Sequence, residues 1–409
     1  MIVRSYWNQG DLGKAGELLA VWKNDSLDFI REKYENTTKI YSEDNEPSGP
    51  KRRVEWNPEE IISNYVQEGS RLWLKTPHVW VYWDMPADFD LEKTNHALLE
   101  LAAELLLRPW IESTKRPFST KRDFGDNYSL AFSAGTDSTA AMLLMPGNTI
   151  LAYHQRDYDS MIDHRNALKL IDHIKTYRDV FVIKSNHEKI RKAYGNPNGF
   201  STDYASGAHL VLMADYLNLK GVSFGLVIEN GWLKKASKFR DFADSNHWKY
   251  WSKRFNEAGL HLVFPTNMIS EAGCMKICHS NEIGQHLNSC MRGDGQVGCG
   301  KCWKCFHKNG PLGRKIDVSS HEISTYLQKR PLRTAMHALW AIKKMHLEHL
   351  VPDLEIQLQQ DFSWWEDYYA PGLEILPPDL REIIQNNLEL YLQQLEDSSH
   401  LTSIDLFSE

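Results

Sequence analysis

The sequence predicts an α/β chain built on a doubly wound, parallel, five-stranded sheet, with an α+β accessory unit before it and a helical region after it. Three observations carry that expectation. Through the middle of the chain, short apolar, β-branched runs alternate with helix-like stretches, the pattern of strands covered on both faces. One of these strands runs directly into a hydroxyl-rich turn and a helix start, as at the carboxyl edge of such sheets. On either side of the middle the alternation stops.

Taken in order, residues 1–122 open with polar, aromatic-rich sequence. Residues 42–58 (SEDNEPSGPKRRVEWNP) read as an exposed loop, 78–84 (HVWVYWD) as a strand, and 91–107 as an amphipathic helix ended by Pro109. No chemistry is assigned to this unit. Across 123–310 strands are expected at 128–132, 149–153, 180–183, 222–228 and 261–264, with helices at 139–145, 162–177, 204–219 and 241–258. From 311 to 409 the pattern is helical, at 320–329, 334–350 and 380–395, split by Pro331, Pro352 and the Pro377-Pro378 pair. The cluster Trp364-Trp365-Glu366-Asp367-Tyr368-Tyr369 reads as packing material.

The turn is Ser133-Ala134-Gly135-Thr136-Asp137-Ser138. A buried strand, small residues and a helix N-terminus bring free N–H groups and the positive end of the helix dipole to one point, where a phosphate is the natural guest. An ordinary strand-to-helix turn has the same composition. The turn is neither G-x-x-x-x-G-K-[ST] nor G-x-G-x-x-G.

Far downstream, Cys290, Cys299, Cys302 and Cys305 stand as C-x8-C-x2-C-x2-C among four glycines, a spacing that suits a closed, structural Zn2+ site. An iron-sulfur cluster competes, although the C-x3-C-P continuation is missing. Disulfides compete less well in a chain without a signal peptide's apolar core. Cys274 and Cys278, spaced C-x3-C on a helix-like segment, are either buried small hydrophobes or a redox or sulfur-carrying pair.

Together, and in this order, the two motifs resemble those of the PP-loop ATP pyrophosphatases, and in particular the 7-cyano-7-deazaguanine synthases, whose nucleotide domain is followed by a four-cysteine zinc loop. Tyr153-His154-Gln155-Arg156 after the second strand is similar to that family's Y-G-Q-R-H. Glu229-Asn230 stands where the family has a polar pair facing the substrate, and Phe264-Pro265-Thr266 where it has T-P-L. The likeness spans about 125–310. Two departures are visible. Ala134 replaces the first glycine of S-G-G-x-D-S, and since a methyl group disfavours positive φ, a slightly different turn is expected. Ser270-Glu271 stands where a [ST]-K is usual, which puts one phosphate or substrate contact in doubt.

The resemblance implies an adenine nucleotide alpha hydrolase-like fold and ATP-dependent adenylation of a small-molecule carboxylate, deazapurine-like, with release of pyrophosphate. It implies that Ser133, Ala134, Gly135, Thr136, Asp137 and Ser138, with Tyr153 and His154, hold ATP. Asp137 is expected to help bind Mg2+, to cap the helix, or both. Gln155, Arg156, Glu229 and Asn230 would meet the substrate, and Asp137, Ser138, Arg156 and Glu229 would serve catalysis. Ammonia or a protein amine would then complete an amide or nitrile, so that a protein partner or acceptor is implied. The flanking regions make the chain more like the enlarged relatives encoded in bacterial antiviral islands. A PP-loop sulfurtransferase acting on tRNA or a small molecule, and a non-catalytic ATP-binding subunit, are the alternatives.

Composition agrees with a soluble, cytoplasmic enzyme: 409 residues, 42% hydrophobic and 25% charged, with no run of eighteen apolar residues and hence no membrane span. The net charge of -7 is unpromising for a nucleic-acid binder. Residues 351–409 carry thirteen acidic side chains against Arg381, or -12, which leaves +5 on the first 350. That excess suits a triphosphate and keeps tRNA open, while the acidic end reads as a solvated face or a surface for a basic partner.

Overall fold

Ten strands form among the described residues: β1 (Tyr65–Glu68), β2 (Arg71–Lys75), β3 (Trp80–Asp84), β4 (Asn127–Ala131), β5 (Ile150–Arg156), β6 (Val180–Ser185), β7 (Leu219–Ser223), β8 (Leu233–Lys234), β9 (Lys238–Phe239) and β10 (His261–Val263). The computed structural model describes residues 12–22, 53–111, 116–156, 165–195, 199–290 and 297–407, together with Val3 and Arg292. The first part of the loop expected at 42–58, up to residue 52, lies outside the described residues, as do 157–164, where the helix expected at 162–177 begins.

Eight strands make one mostly parallel sheet in the order β1-β2-β3-β6-β5-β4-β7-β10, and β8 with β9 forms a separate hairpin. All five expected strands are present and pair in parallel. The expectation of a five-stranded sheet is nevertheless corrected. The antiparallel meander β1-β2-β3 extends the same sheet, with Trp83 of β3 opposite Ser185 of β6. Trp83 is the reason: its ring is fully buried and its indole N–H donates to His187 Nδ1 at 3.1 Å, so the meander closes over the β6 edge.

The helices that matter for the site are α1 (His96–Leu107), α2 (Thr136–Leu144), α3 (Arg165–Ile174), α4 (Ala208–Leu212), α5 (Ile228–Gly231), α6 (Asn246–Glu257), α7 (Glu271–His279), α8 (His321–Gln328), α9 (Ala335–Lys344) and α10 (Pro378–Glu389). Two apolar cores lie on the two faces of the sheet, because successive strand side chains alternate. Leu151 and Tyr153 of β5 join one core with α2, α3, α7 and α10, while Ala152 between them joins the other with α1, α4 and α6. Trp365 and Tyr368 are buried, as packing residues should be.

The strand expected at 222–228 is shorter than the sequence suggests. It leaves the sheet after Ser223, and Glu229 and Asn230 fall on α5. Gly225 explains the departure: a Cβ there would meet the Asp137 carbonyl carbon and the Ser138 nitrogen at 2.9 Å, so the backbone crosses directly over the start of α2. That start is Thr136, earlier than the 139 expected.

Candidate functional site

The Ser133–Ser138 turn sits at the carboxyl end of β4, where the strand order reverses between β5 on one side and β7 on the other. Ala134 has φ 54°, so the turn does take a left-handed residue in spite of its methyl group. This corrects the expectation of a different turn. Packing of the buried Ala134 side chain offsets a strain of about 1–2 kcal/mol.

Hydroxyl oxygens stand on the N–H donors of the turn. Ser138 Oγ accepts from the Ser133 and Gly135 N–H groups, each at 3.2 Å, and lies 3.0 Å from Ser133 Oγ. The Thr136 N–H donates to Ser289 Oγ at 3.1 Å, and the Thr136 and Ser289 hydroxyls are 2.7 Å apart. A hydroxyl is a weaker acceptor than a charged oxygen, so these donors rest on weak partners.

Two cavities flank the turn. One, of about 300 Å³, is bounded by Ser133, Gly135, Tyr153, His154, Arg156 and Lys304 among others. The other, of about 540 Å³, is bounded by Ser133, Asp137, Ser138, Gly225 and Asn230 among others. Ser133 and Phe200 belong to both walls.

Of the residues expected at the site, Tyr153, His154 and Arg156 therefore reach the first cavity, and Asp137, Ser138 and Asn230 the second. Arg156 is held 3.1 Å from Glu188, with its guanidinium 4.6 Å from the centre of the Phe200 ring. Gln155, opposite Lys184 in the sheet, lines neither cavity. Nor does Glu229, which is buried and accepts the Glu271 N–H at 2.9 Å. Burial pushes its carboxyl well above the usual range, with the nearby Glu271 charge adding to the effect.

On one wall of the first cavity the His154 ring stacks on His187 at 4.3 Å, with His209 at 6.0 Å. Burial pushes His187 down to about 3 and His209 down to about 4, so both are neutral at pH 7.

The four cysteines converge as the spacing predicts. Cys290 and Cys302 sulfurs are 3.9 Å apart, Cys299 and Cys305 3.9 Å, and Cys302 and Cys305 3.5 Å. Four sulfurs around one ion at about 2.3 Å stand ~3.8 Å from each other, so this cluster can hold a metal such as zinc. Backbone N–H groups point at the sulfurs: Arg292 and Cys299 donate to Cys290 at 3.3 and 3.2 Å, and Cys305 donates to Cys302 at 3.4 Å. Arg292, buried beside the cluster, pairs with buried Glu322 of α8 at 2.5 Å.

The strand-turn-helix unit and the cysteine loop touch through residues that the sequence did not single out. Ser289 precedes the first cysteine and binds Thr136. Lys308, three residues after the last, places its ammonium 2.7 Å from Asp137 Oδ1 and 2.8 Å from Glu271 Oε2. Burial works to raise Glu271, but Lys308, with His337 and His307 behind it, holds that carboxyl below its usual range. Burial raises the Asp137 carboxyl against the pull of Lys308.

Glu271, His307 and His337 also offer ligand atoms within 4.8 Å of one another, but the Lys308 ammonium already balances the carboxylate there. Lys304 and Lys308 stand one turn apart in WKCFHK, a spacing that was open to reading beside the cysteines. Ser270 caps α7, its Oγ accepting from the Gly273 N–H at 3.1 Å. Cys274 and Cys278 are fully buried in α7, and the Cys278 thiol donates to the Thr136 carbonyl at 3.4 Å. Burial pushes both thiols up.

No helix among the described residues is long and apolar enough to cross a membrane. Residues 250–400, from α6 through the cysteine loop to the C-terminal helices, match a family of unknown function, DUF6395. Comparison with curated proteins and with solved structures gave no match.

Proposed function

We propose that the chain adenylates a small-molecule carboxylate with ATP and passes the acyl group to ammonia or a protein amine. The observation that supports this reading is the placement of one anion-type turn between two separate cavities, an arrangement suited to two reactants that meet at the turn. In the reaction a carboxylate oxygen attacks the α-phosphorus, and the bond from that phosphorus to the bridging oxygen breaks, releasing pyrophosphate. The amine nitrogen then attacks the acyl carbon, the carbon-oxygen bond to AMP breaks, and the amine gives up a proton.

The Ser133, Gly135 and Thr136 N–H groups and the Ser133, Thr136 and Ser138 hydroxyls would hold the leaving phosphates, stabilising charge as it develops. Arg156 borders the smaller cavity, where its guanidinium, held by Glu188, would meet a phosphate or the substrate carboxylate. Asp137 borders the larger cavity with its carboxyl shared with Lys308, and would help hold Mg2+, which supplies charge to neutralise phosphate oxygens. Cys290, Cys299, Cys302 and Cys305 would hold Zn2+; an iron-sulfur cluster places its thiolates on different irons, farther apart than these sulfurs lie. A closed four-sulfur site supplies structure rather than catalysis.

The sulfurtransferase alternative needs an accessible thiolate, and Cys274 and Cys278 are buried thiols. Incubation with ATP labelled at the α-phosphate, with and without deazapurine carboxylates, tests the proposal. Labelled AMP with stoichiometric pyrophosphate is expected, and ADP alone, or no product with any acid, defeats it.

A further inference from the structure

Between Cys302 and Cys305 the chain reads Trp303-Lys304, and the loop that wraps the sulfurs turns Lys304 toward the smaller cavity. Lys304 shares that wall with Ser133 and Gly135 of the turn and with Ser289. Two neighbouring cations already have carboxylate partners: Arg156 pairs with Glu188, and Lys308 with Asp137 and Glu271. Lys304 has no carboxylate within ion-pair distance among the described residues; its ammonium lies 5.8 Å from the Trp303 ring centre and meets the Asp137 and Glu271 charges only at longer range. A half-buried ammonium without a carboxylate in direct contact is better satisfied when an anion binds beside it.

The surroundings say which kind of anion. Beside the ammonium lie a hydroxyl-rich turn at a helix N-terminus, whose N–H groups rest on the hydroxyls of Ser138 and Ser289. Ser289 sits immediately before Cys290, so the cysteine loop supplies both a hydroxyl on the turn and a cation beside it. Three fixed donor types around one small volume suit a polyphosphate better than a lone carboxylate, which takes two.

We infer that Lys304 is the polyphosphate-binding cation of this site, and that the cysteine loop with its metal serves to aim it. The inference rests on the nucleotide reading above. It adds a residue which that reading does not use, and assigns the cysteine loop a part in ligand binding besides holding the fold. Lys304 and the turn together take the pyrophosphate portion of the nucleotide. A phosphate that leaves during reaction is thereby met by a full charge, where the turn alone offers dipoles.

The test uses the whole chain with its metal loaded, and measures binding of ATP, inorganic pyrophosphate and AMP by calorimetry to wild type, Lys304→Met and Lys304→Arg. With Lys304→Met, affinity for ATP and for pyrophosphate is expected to fall at least about tenfold, as loss of a charge-assisted contact does, while AMP changes less than about twofold. Lys304→Arg should recover part of the loss, and metal content and melting temperature should stay at wild-type values in both. ATP and pyrophosphate binding unchanged in Lys304→Met overturns the inference while leaving the nucleotide reading intact. Absence of ATP and pyrophosphate binding in the wild type removes both. An equal loss for all three ligands also overturns the inference, since it makes Lys304 a general support of the cavity.

Discussion

The cysteine loop and the Ser133 turn lie against each other and are built on opposite plans. The loop draws four like groups to one point, and its sulfurs receive N–H bonds from their own segment, so its geometry is almost entirely local. The turn contributes local donors too, but the groups that complete it come from elsewhere: Ser289 lies 153 residues away and Lys308 171 residues from Asp137. One region carries its own ligands, while the other borrows them from its neighbour. Damage to the loop should therefore reach the turn, whereas damage to the turn should stay there.

The sharpest way to break that asymmetry is to remove one sulfur. Cys302→Ser is expected to lose the metal by elemental analysis and to cost more stability than any other single change, because metal-binding energy of the order of 10 kcal/mol is coupled to folding. Full metal content with an unchanged melting temperature would remove the metal centre. Next comes the buried pair that anchors the loop. Glu322→Ala leaves Arg292 charged and buried, and should cost about 3–5 kcal/mol in urea unfolding, against near silence for an exposed pair such as Lys249 with Asp244.

Acid probes the turn's side of the cavity. His187 and His209 titrate lower in the folded chain than the ordinary value near 6.5, because they are buried, with Arg156 also facing His187. Their contribution is thus fully present above pH 6.5 and is lost as pH falls toward about 4 and 3, at about 1.4 kcal/mol per pH unit for each. Unfolding midpoints between pH 7 and 5 should show that slope, and His209→Gln should flatten it; a slope that stays the same would exonerate the pair. The smallest effect belongs to the turn itself. Ala134→Gly relieves the positive φ and should stabilise by up to about 1 kcal/mol, offset in part by chain entropy and lost packing, without changing metal content.

How much of this was legible in the sequence follows from the same difference. Cys290, Cys299, Cys302 and Cys305 could be read because ligand spacing is a local property, and Ser133 to Ser138 because strand, turn and helix are contiguous. Ala134 misled because intrinsic preference opposes the left-handed region while core packing holds it there. Ser289, Lys308 and Glu271 could not be assigned because each gains its meaning only from a distant partner. Glu229 was placed at a strand end, but Gly225 turns the backbone over α2 first and carries the side chain inward. β1 and β2 escaped notice for another reason: YVQE and RLWLK are too short and too charged to show the period of a half-buried strand.

The meander at the sheet edge carries a consequence for the order of events during synthesis. Trp83 leaves the ribosome 104 residues ahead of His187, the acceptor of its indole N–H. Until β6 emerges, β3 has a bare edge, and the early segment is exposed to proteases and to pairing with a neighbouring nascent chain. Truncations ending before residue 180 should then be cleaved within 65–84, whereas those that include β6 resist.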